Sequence, residues 1–266
     1  SVPNLNFTVT PGISISRASG AAGTSVTATG SGFGAGERDI AVTVDGATVA
    51  QGITANLQGG WTSAFVVPAS ASGSHVISAY GSVTPAASVS GITSTITPVI
   101  SANLSSGPPG ARVIVTGLSF GADEKGITVT YDSIPVAQGI TADDQGGWSD
   151  PFIVPASATG SHVINAYGSV TPKASVPTLS FSATPGISIS RASGAVGTSV
   201  TVSGSGFYSS ERGITVTMDG ATVAQGMTAD PKGSWSAVFV VPDSVSGYHS
   251  IGAYGSLTQA ASVTEV

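Results

Sequence analysis

The chain has 266 residues, no cysteine, a net charge of −6 and only 8% charged residues. Disulfide stapling and thiolate metal sites are excluded, and with no basic cluster nucleic acid and anionic membrane surfaces are poor partners. From Gly46 to Ala111 there is no Lys, Arg, Asp or Glu, but Pro, Gly, Ser and Thr interrupt every apolar run, so no membrane insertion is expected.

After a lead-in, Ser1–Asn4, the alternation Leu5-x-Phe7-x-Val9 predicts a half-buried strand, and Ile13–Ser16 resumes it beyond Thr10-Pro11-Gly12. Arg17–Gly23 reads as a turn and Thr24–Thr29 as a strand. The polar loop Gly34–Asp39 differs from its later counterparts, GADEKG and YSSERG. Ile40–Val44 and Thr48–Ile53 flank Asp45-Gly46, a type I′ hairpin signal. A second variable loop surrounds Asn56-Leu57-Gln58. Trp61–Val67 is a strand ended by Pro68, Ser74–Tyr80 is another, and Ala86–Val89 is expected to be the last. Gly59–Ser82 is expected to form the central strand pair.

This pattern returns twice. Trp61, Trp148 and Trp235 are spaced by 87 residues, as are His75, His162 and His249, and Phe33, Phe120 and Phe207. A fixed period of this kind signals a repeat architecture. The expected domains are 1–91 (with the lead-in), 92–178 and 179–266. No helical periodicity interrupts them, so the fold class is all-β: three tandem immunoglobulin-like sandwiches. Joints of about four residues, Val89–Ile92 and Val176–Leu179, are too short for flexible linkers. They predict an elongated rod on the order of 100 Å. The hairpin at Asp219-Gly220 repeats the first, whereas Asp132-Ser133 should be less ideal.

The series Pro11-x-Ile13-x-Ile15, Ser19-Gly20-x-x-Gly23-Thr24-x-Val26-Thr27 and Gly30-x-Gly32-Phe33 resembles the IPT/TIG family of immunoglobulin-like domains. Gly60-Trp61-x-x-x-Phe65-x-Val67-Pro68 and Gly73-x-His75-x-Ile77 look like a bacterial and archaeal surface-protein variety of such repeats. The resemblance covers nearly the whole chain. It implies extracellular adhesins, surface-layer or envelope proteins, or spacers, and brings no catalytic residues.

Each candidate site has a plainer reading. Trp61, Trp148 and Trp235 could stack on sugars, which would make glycans a partner. A single Trp after a glycine turn is better explained as a core plug with its indole N–H on a loop carbonyl. The histidines have no fixed carboxylate beside them in sequence and are expected to bond a loop. Asp45, Asp132 and Asp219 are explained by turn chemistry, and the remaining acidic loop residues form no fixed calcium pattern. Asn6-Phe7-Thr8 and Asn103-Leu104-Ser105 are N-glycosylation sequons. No cofactor and no catalytic set is expected. With so few charges, stability should depend little on salt or pH.

These readings converge on a non-catalytic structural protein of an extracellular surface, a stalk or a polymer subunit, with a carbohydrate-binding or host-adhesion module as the alternative. The sequence does not open with a charged and apolar leader, so any signal peptide is expected either to have been removed or to lie outside this sequence. The expected partners are copies of itself or neighbouring surface proteins. An unpaired sandwich edge is a template for a strand from an adjacent subunit, which would pin Ser1–Asn4 and Val266.

Overall fold

Period-two alternation places one face of a strand such as Ser25–Ser31 inward, whereas Ile40–Val44 and Ile127–Tyr131 are buried throughout. In Ser25–Ser31, Val26, Ala28 and Gly30 are buried and the residues between them exposed. The computed structural model describes residues 7–260 and 263–265. Its first repeat contains β1 (Gly12–Ile15), β2 (Ser19–Gly20), β3 (Ser25–Ser31), β4 (Ile40–Val44), β5 (Ala47–Ile53), β6 (Trp61–Val66), β7 (Gly73–Tyr80) and β8 (Ile92–Ile96). The second contains β9 (Val99–Ala102), β10 (Ser106–Gly107), β11 (Arg112–Leu118), β12 (Ile127–Tyr131), β13 (Ile134–Ile140), β14 (Trp148–Ile153), β15 (Gly160–Tyr167) and β16 (Leu179–Ala183). The third contains β17 (Gly186–Ile189), β18 (Ser199–Ser205), β19 (Ile214–Met218), β20 (Ala221–Met227), β21 (Trp235–Val240), β22 (Ile251–Tyr254) and β23 (Thr264–Glu265).

The protein is all-β and immunoglobulin-like. In the first repeat a three-stranded sheet, β1-β3-β6, faces a five-stranded one, β2-β8-β7-β4-β5. The second repeats this with β9-β11-β14 and β10-β16-β15-β12-β13. In the third the sheets are β21-β18-β17-β23 and β20-β19-β22. Three separate apolar clusters lie between the sheets, centred on Phe33 and Trp61, Phe120 and Trp148, and Phe207 and Trp235.

Besides β2, which pairs two residues of the expected Arg17–Gly23 turn with β8, the structure departs from the sequence reading at five places. β6 and β7 are not a pair: Pro68 ends β6, and the chain crosses to the opposite sheet, where β7 lies between β4 and β8. Ala86–Ser88 is a single 3-10 turn rather than a strand, because Ser88 turns both its N–H and its hydroxyl onto the Pro85 carbonyl. Ser133 adopts φ 69° beside Asp132 at φ 48°, so the middle hairpin keeps the turn made by Asp45 at φ 48° and Gly46 at φ 84°. Of the strand expected at Leu5–Val9, the described part is unpaired, with Phe7 91% and Val9 68% exposed. Ser1–Asn4, Asn6 and Val266 lie outside the described residues.

The fifth concerns the joints. β8 lies antiparallel to β7 with Ile77 opposite Ile92 and Gly73 opposite Ile96, and Ile96 is buried in the first core. A cut between Gly91 and Ile92 therefore divides a hydrogen-bonded sheet, and one between Thr178 and Leu179 does the same to β15 and β16. The chain changes sheets at Thr97-Pro98 and Thr184-Pro185. Backbone bonds span these joints: Ser72 N–H donates to the Phe120 carbonyl at 3.0 Å, and Thr159 N–H to that of Phe207 at 3.1 Å.

Candidate functional site

The side chains with chemistry fall into three sets, each present once per repeat. The first was missed in the sequence, inside a loop read as variable. Glu37, Glu124 and Glu211 are buried carboxylates. Around Glu124, Oε1 accepts the N–H groups of Val170 at 2.6 Å and Thr171 at 2.7 Å. Its Oε2 accepts the Gly121 N–H at 2.8 Å and the Thr171 hydroxyl at 2.6 Å. Glu37 and Glu211 do the same with Thr84 and Thr258. Burial alone raises the carboxyl pKa, but the threonine hydroxyl and the backbone N–H groups outweigh it and hold all three below the usual range. A Cβ on Gly168 would sit 2.2 Å from Oε1 of Glu124, so glycine is required there. The signal was available: Glu and Thr recur at the same period while their neighbours change.

The second set joins each histidine to the aspartate of the hairpin turn. Nδ1 lies 2.6 Å from Oδ2 in His75–Asp45 and His162–Asp132, and 2.5 Å in His249–Asp219. Each Nε2 lies 2.9 Å from a carbonyl, of Ala71, Ala158 or Val245. A fixed carboxylate is thus present, contrary to the sequence reading, because the hairpin brings it to the start of β7, β15 and the segment before β22. The loop bond is as expected. Both neighbours of each ring are oxygen atoms that can accept, so each imidazole is held at both of its nitrogens.

The other carboxylate oxygen accepts a backbone N–H, from Val76, Val163 or Ser250. Asp45 is held below the usual range by Val76 N–H and then His75. In Asp132 burial pushes upward, but His162 and Val163 N–H prevail. Asp219 is lowered by His249 and Ser250 N–H, and His249 is raised by Asp219 and the Val245 carbonyl.

The third set is the tryptophans. Trp61, Trp148 and Trp235 are buried, 5%, 6% and 6% exposed, edge-on to Phe33, Phe120 and Phe207 at 5.4, 5.3 and 5.3 Å. Their rings cover Gly30, Gly117 and Gly204, where a Cβ would lie 2.1, 2.2 and 2.1 Å from the indole. These are core plugs, and stacking on a sugar needs an open ring face that they do not present. The expected bond from indole N–H to a loop carbonyl is not made among the described residues.

The remaining candidates are simpler. Asn103 is exposed, and its Oδ1 accepts the Ile114 N–H at 2.7 Å. Asn56, Asp143 and Asp230 close the second loop by accepting two backbone N–H groups each. No three His, Asp or Glu side chains converge on a possible metal position among the described residues.

The IPT/TIG domain profile matches residues 11–96 and 187–262, together more than half of the sequence. The chain belongs to the IPT/TIG domain family. The first matched stretch ends on the last residue of β8. No curated protein sequence matches this IPT/TIG chain. Among solved structures it is similar to the Escherichia coli adhesin FdeC, at 14% identity, covering 98% of this chain and 96% of that one, with a TM-score of 0.29. InvD of Yersinia pseudotuberculosis shares 12% identity over 96% of this chain and 87% of that one, with a TM-score of 0.29. The Bacteroides ovatus protein SGBP-B, solved with a mixed-linkage heptasaccharide, shares 14% identity over 90% of this chain and 59% of that one, with a TM-score of 0.30.

Proposed function

We propose that the protein is a non-catalytic structural element of an extracellular surface, in which three sandwiches stack end to end as a stiff rod serving as a stalk or a polymer subunit. The sandwiches span about residues 11–96, 98–183 and 185–265, with limits at the joints Thr97-Pro98 and Thr184-Pro185. The observation that carries this reading is how each repeat uses its ionisable groups. Every buried glutamate is saturated by four internal donors, and every histidine has both ring nitrogens on internal acceptors. Neither leaves a base free for a substrate proton. Two-residue joints with a hydrogen bond across each support stiffness. Low charge with a repeated core suits a spacer exposed to variable surroundings.

Small-angle X-ray scattering tests the arrangement. The expected result is a maximum dimension on the order of 100 Å, from three strand lengths plus turns. A compact particle with the radius of a single globule of this length would overturn it.

A further inference from the structure

We propose that His75 and His249 are chemical guards that keep Asp45-Gly46 and Asp219-Gly220, two latent sites of isoaspartate formation, from cyclising. This goes beyond the structural reading above and does not depend on how the repeats stack.

The sequence holds two Asp-Gly pairs and no Asn-Gly. Each Asp-Gly closes a hairpin, with φ 48° and 84° at Asp45 and Gly46, and 51° and 82° at Asp219 and Gly220. The turn selects these residue types because both positions are left-handed. The same choice is chemically hazardous. Glycine has no Cβ to hinder its nitrogen, so Gly46 N can attack Cγ of Asp45 more readily than a larger residue's nitrogen could. The bond from Cγ to the carboxyl hydroxyl breaks, that hydroxyl leaves as water with the amide proton, and a five-membered imide closes. Water reopens the ring at either carbonyl, and opening at the backbone carbonyl leaves the chain running through the aspartate side chain. The mass is then unchanged, but one methylene has entered the backbone.

Such an insertion would disrupt the hairpin. Val44 faces Ala47 and Thr43 faces Thr48 across a two-residue loop, and loop length fixes that register. Met218 and Ala221 stand in the same relation in the third repeat. Asp45, Gly46, Asp219 and Gly220 are all exposed, so burial does not protect either pair.

What restrains cyclisation is the placement of the carboxylate. Asp45 is tied to β7 at three points. Its N–H donates to the Val76 carbonyl at 2.8 Å, Oδ1 accepts the Val76 N–H at 2.8 Å, and Oδ2 lies 2.6 Å from Nδ1 of His75. His75 is itself held through Nε2, 2.9 Å from the Ala71 carbonyl, and its side chain is only 14% exposed. Both carboxylate oxygens are thus directed across the sheet, and Cγ cannot turn onto Gly46 N until both bonds break. The same bonds favour the ionised carboxylate, which has no hydroxyl to expel. Val76 N–H and then His75 hold Asp45 below the usual range. Asp219 repeats the arrangement with the Ser250 N–H at 2.9 Å, the Ser250 carbonyl at 2.8 Å and His249.

The middle repeat supplies the reference. Asp132 has the same grip from His162 at 2.6 Å and the Val163 N–H at 2.9 Å, but Ser133 follows it. The Cβ of Ser133 hinders its nitrogen, so His162 staples this turn without meeting the same hazard. Stapling is common to all three repeats, and guarding is confined to the Asp-Gly pairs.

Isoaspartate is read site by site, by peptide mapping with electron-transfer fragmentation, after the folded chain is aged in warm, mildly acidic buffer. Native Asp45 should isomerise more slowly than in a free peptide of residues 40–52 by about tenfold or more, since two bonds must break first. His75→Ala and His75→Val should bring Asp45 close to the peptide rate, while Asp219 in the same molecule keeps its native rate. His75→Asn, which restores an N–H donor, should recover most of the protection. Ser133→Gly removes the hindrance beside Asp132 with His162 in place, and Asp132 should then stay as slow as native Asp45. Adding His162→Val should release it. Native Asp45 reacting at the peptide rate, unchanged protection in both His75→Ala and His75→Val, or fast reaction in Ser133→Gly alone would each overturn the proposal. A rise at Asp219 alongside Asp45 would mark general unfolding of the His75 variants, and the Ser133→Gly pair then decides.

Discussion

The second and third repeats share their carboxylate clamps, His–Asp pairs and Phe–Trp core contacts, but differ along one sheet edge: among the described residues the third has no counterpart of β10 or β16, and β22 is half as long as β15. In the second, β15 is paired along both edges and Ile164 is fully buried. In the third, the segment before β22 has lost its ladder, and Ile251 beneath it is half-buried. A sandwich of this kind thus has two separable parts. The hairpin β19–β20 and the sheet containing β18 and β21 keep their registers without the closing strand. The edge that receives that strand does not.

The largest expected effect is on the second repeat. Phe181→Ala removes the largest inward side chain of β16, which is fully buried. It should destabilise that repeat by about 3–5 kcal/mol. Amide exchange read by mass spectrometry should then make β15 behave like β22, and unchanged protection of β15 would break the comparison.

Next comes the carboxylate clamp, which the two repeats share. Glu124→Gln presents an amide N–H₂ to backbone donors, and about 2–3 kcal/mol should be lost in urea unfolding. Glu211→Gln should cost as much, since its bonds match. A much smaller loss there would mean that the open edge loosens the clamp as well.

A smaller effect follows from pH. The glutamates at 37, 124 and 211 and the aspartates at 45, 132 and 219 have lowered folded pKa values. Their contribution is present above the unfolded values of about 3.9–4.3 and disappears as pH falls through the lower folded ones. His249 is raised, so its contribution is present below about 6.5 and disappears as pH rises through its folded value. Thermal melts across pH should fall on the acid side in every repeat. The low charge content alone suggested flat behaviour, but the few charges present are placed where protonation matters. Asp219→Asn should remove the alkaline decline attributed to His249.

The smallest expected effect is a gain. Ser133→Gly relieves a non-glycine residue in the left-handed region and should stabilise the second repeat by about 0.5–1 kcal/mol, read as a raised melting temperature.

Most of the fold was legible in the sequence because period-two alternation and Asp-Gly turns act locally. Ile40–Val44 and Trp61–Val66 lie where their patterns put them. What was not legible depends on distant partners. Nothing near Ile92 reveals that it faces Ile77 rather than a neighbour that follows it. The His–Asp pairs join residues thirty apart, and Glu37 meets Thr84 across forty-seven. A period common to both residues was the available clue, and the changing residues around Glu37 concealed it. Ser88 shows the opposite limit, where a local side-chain bond closes a turn in a segment whose only strongly strand-forming residue is Val89.

The two-residue joints also bear on durability. A protease must draw several residues of extended chain into its cleft, and cleavage concentrates at exposed, loosely held segments. Thr97-Pro98 has a paired strand on each side, and a chain with only eight lysines and arginines offers trypsin-like enzymes few places to begin. The place to begin is instead the stretch Ser246–Ser250, where Tyr248 stands fully exposed. Chymotrypsin should cut there first.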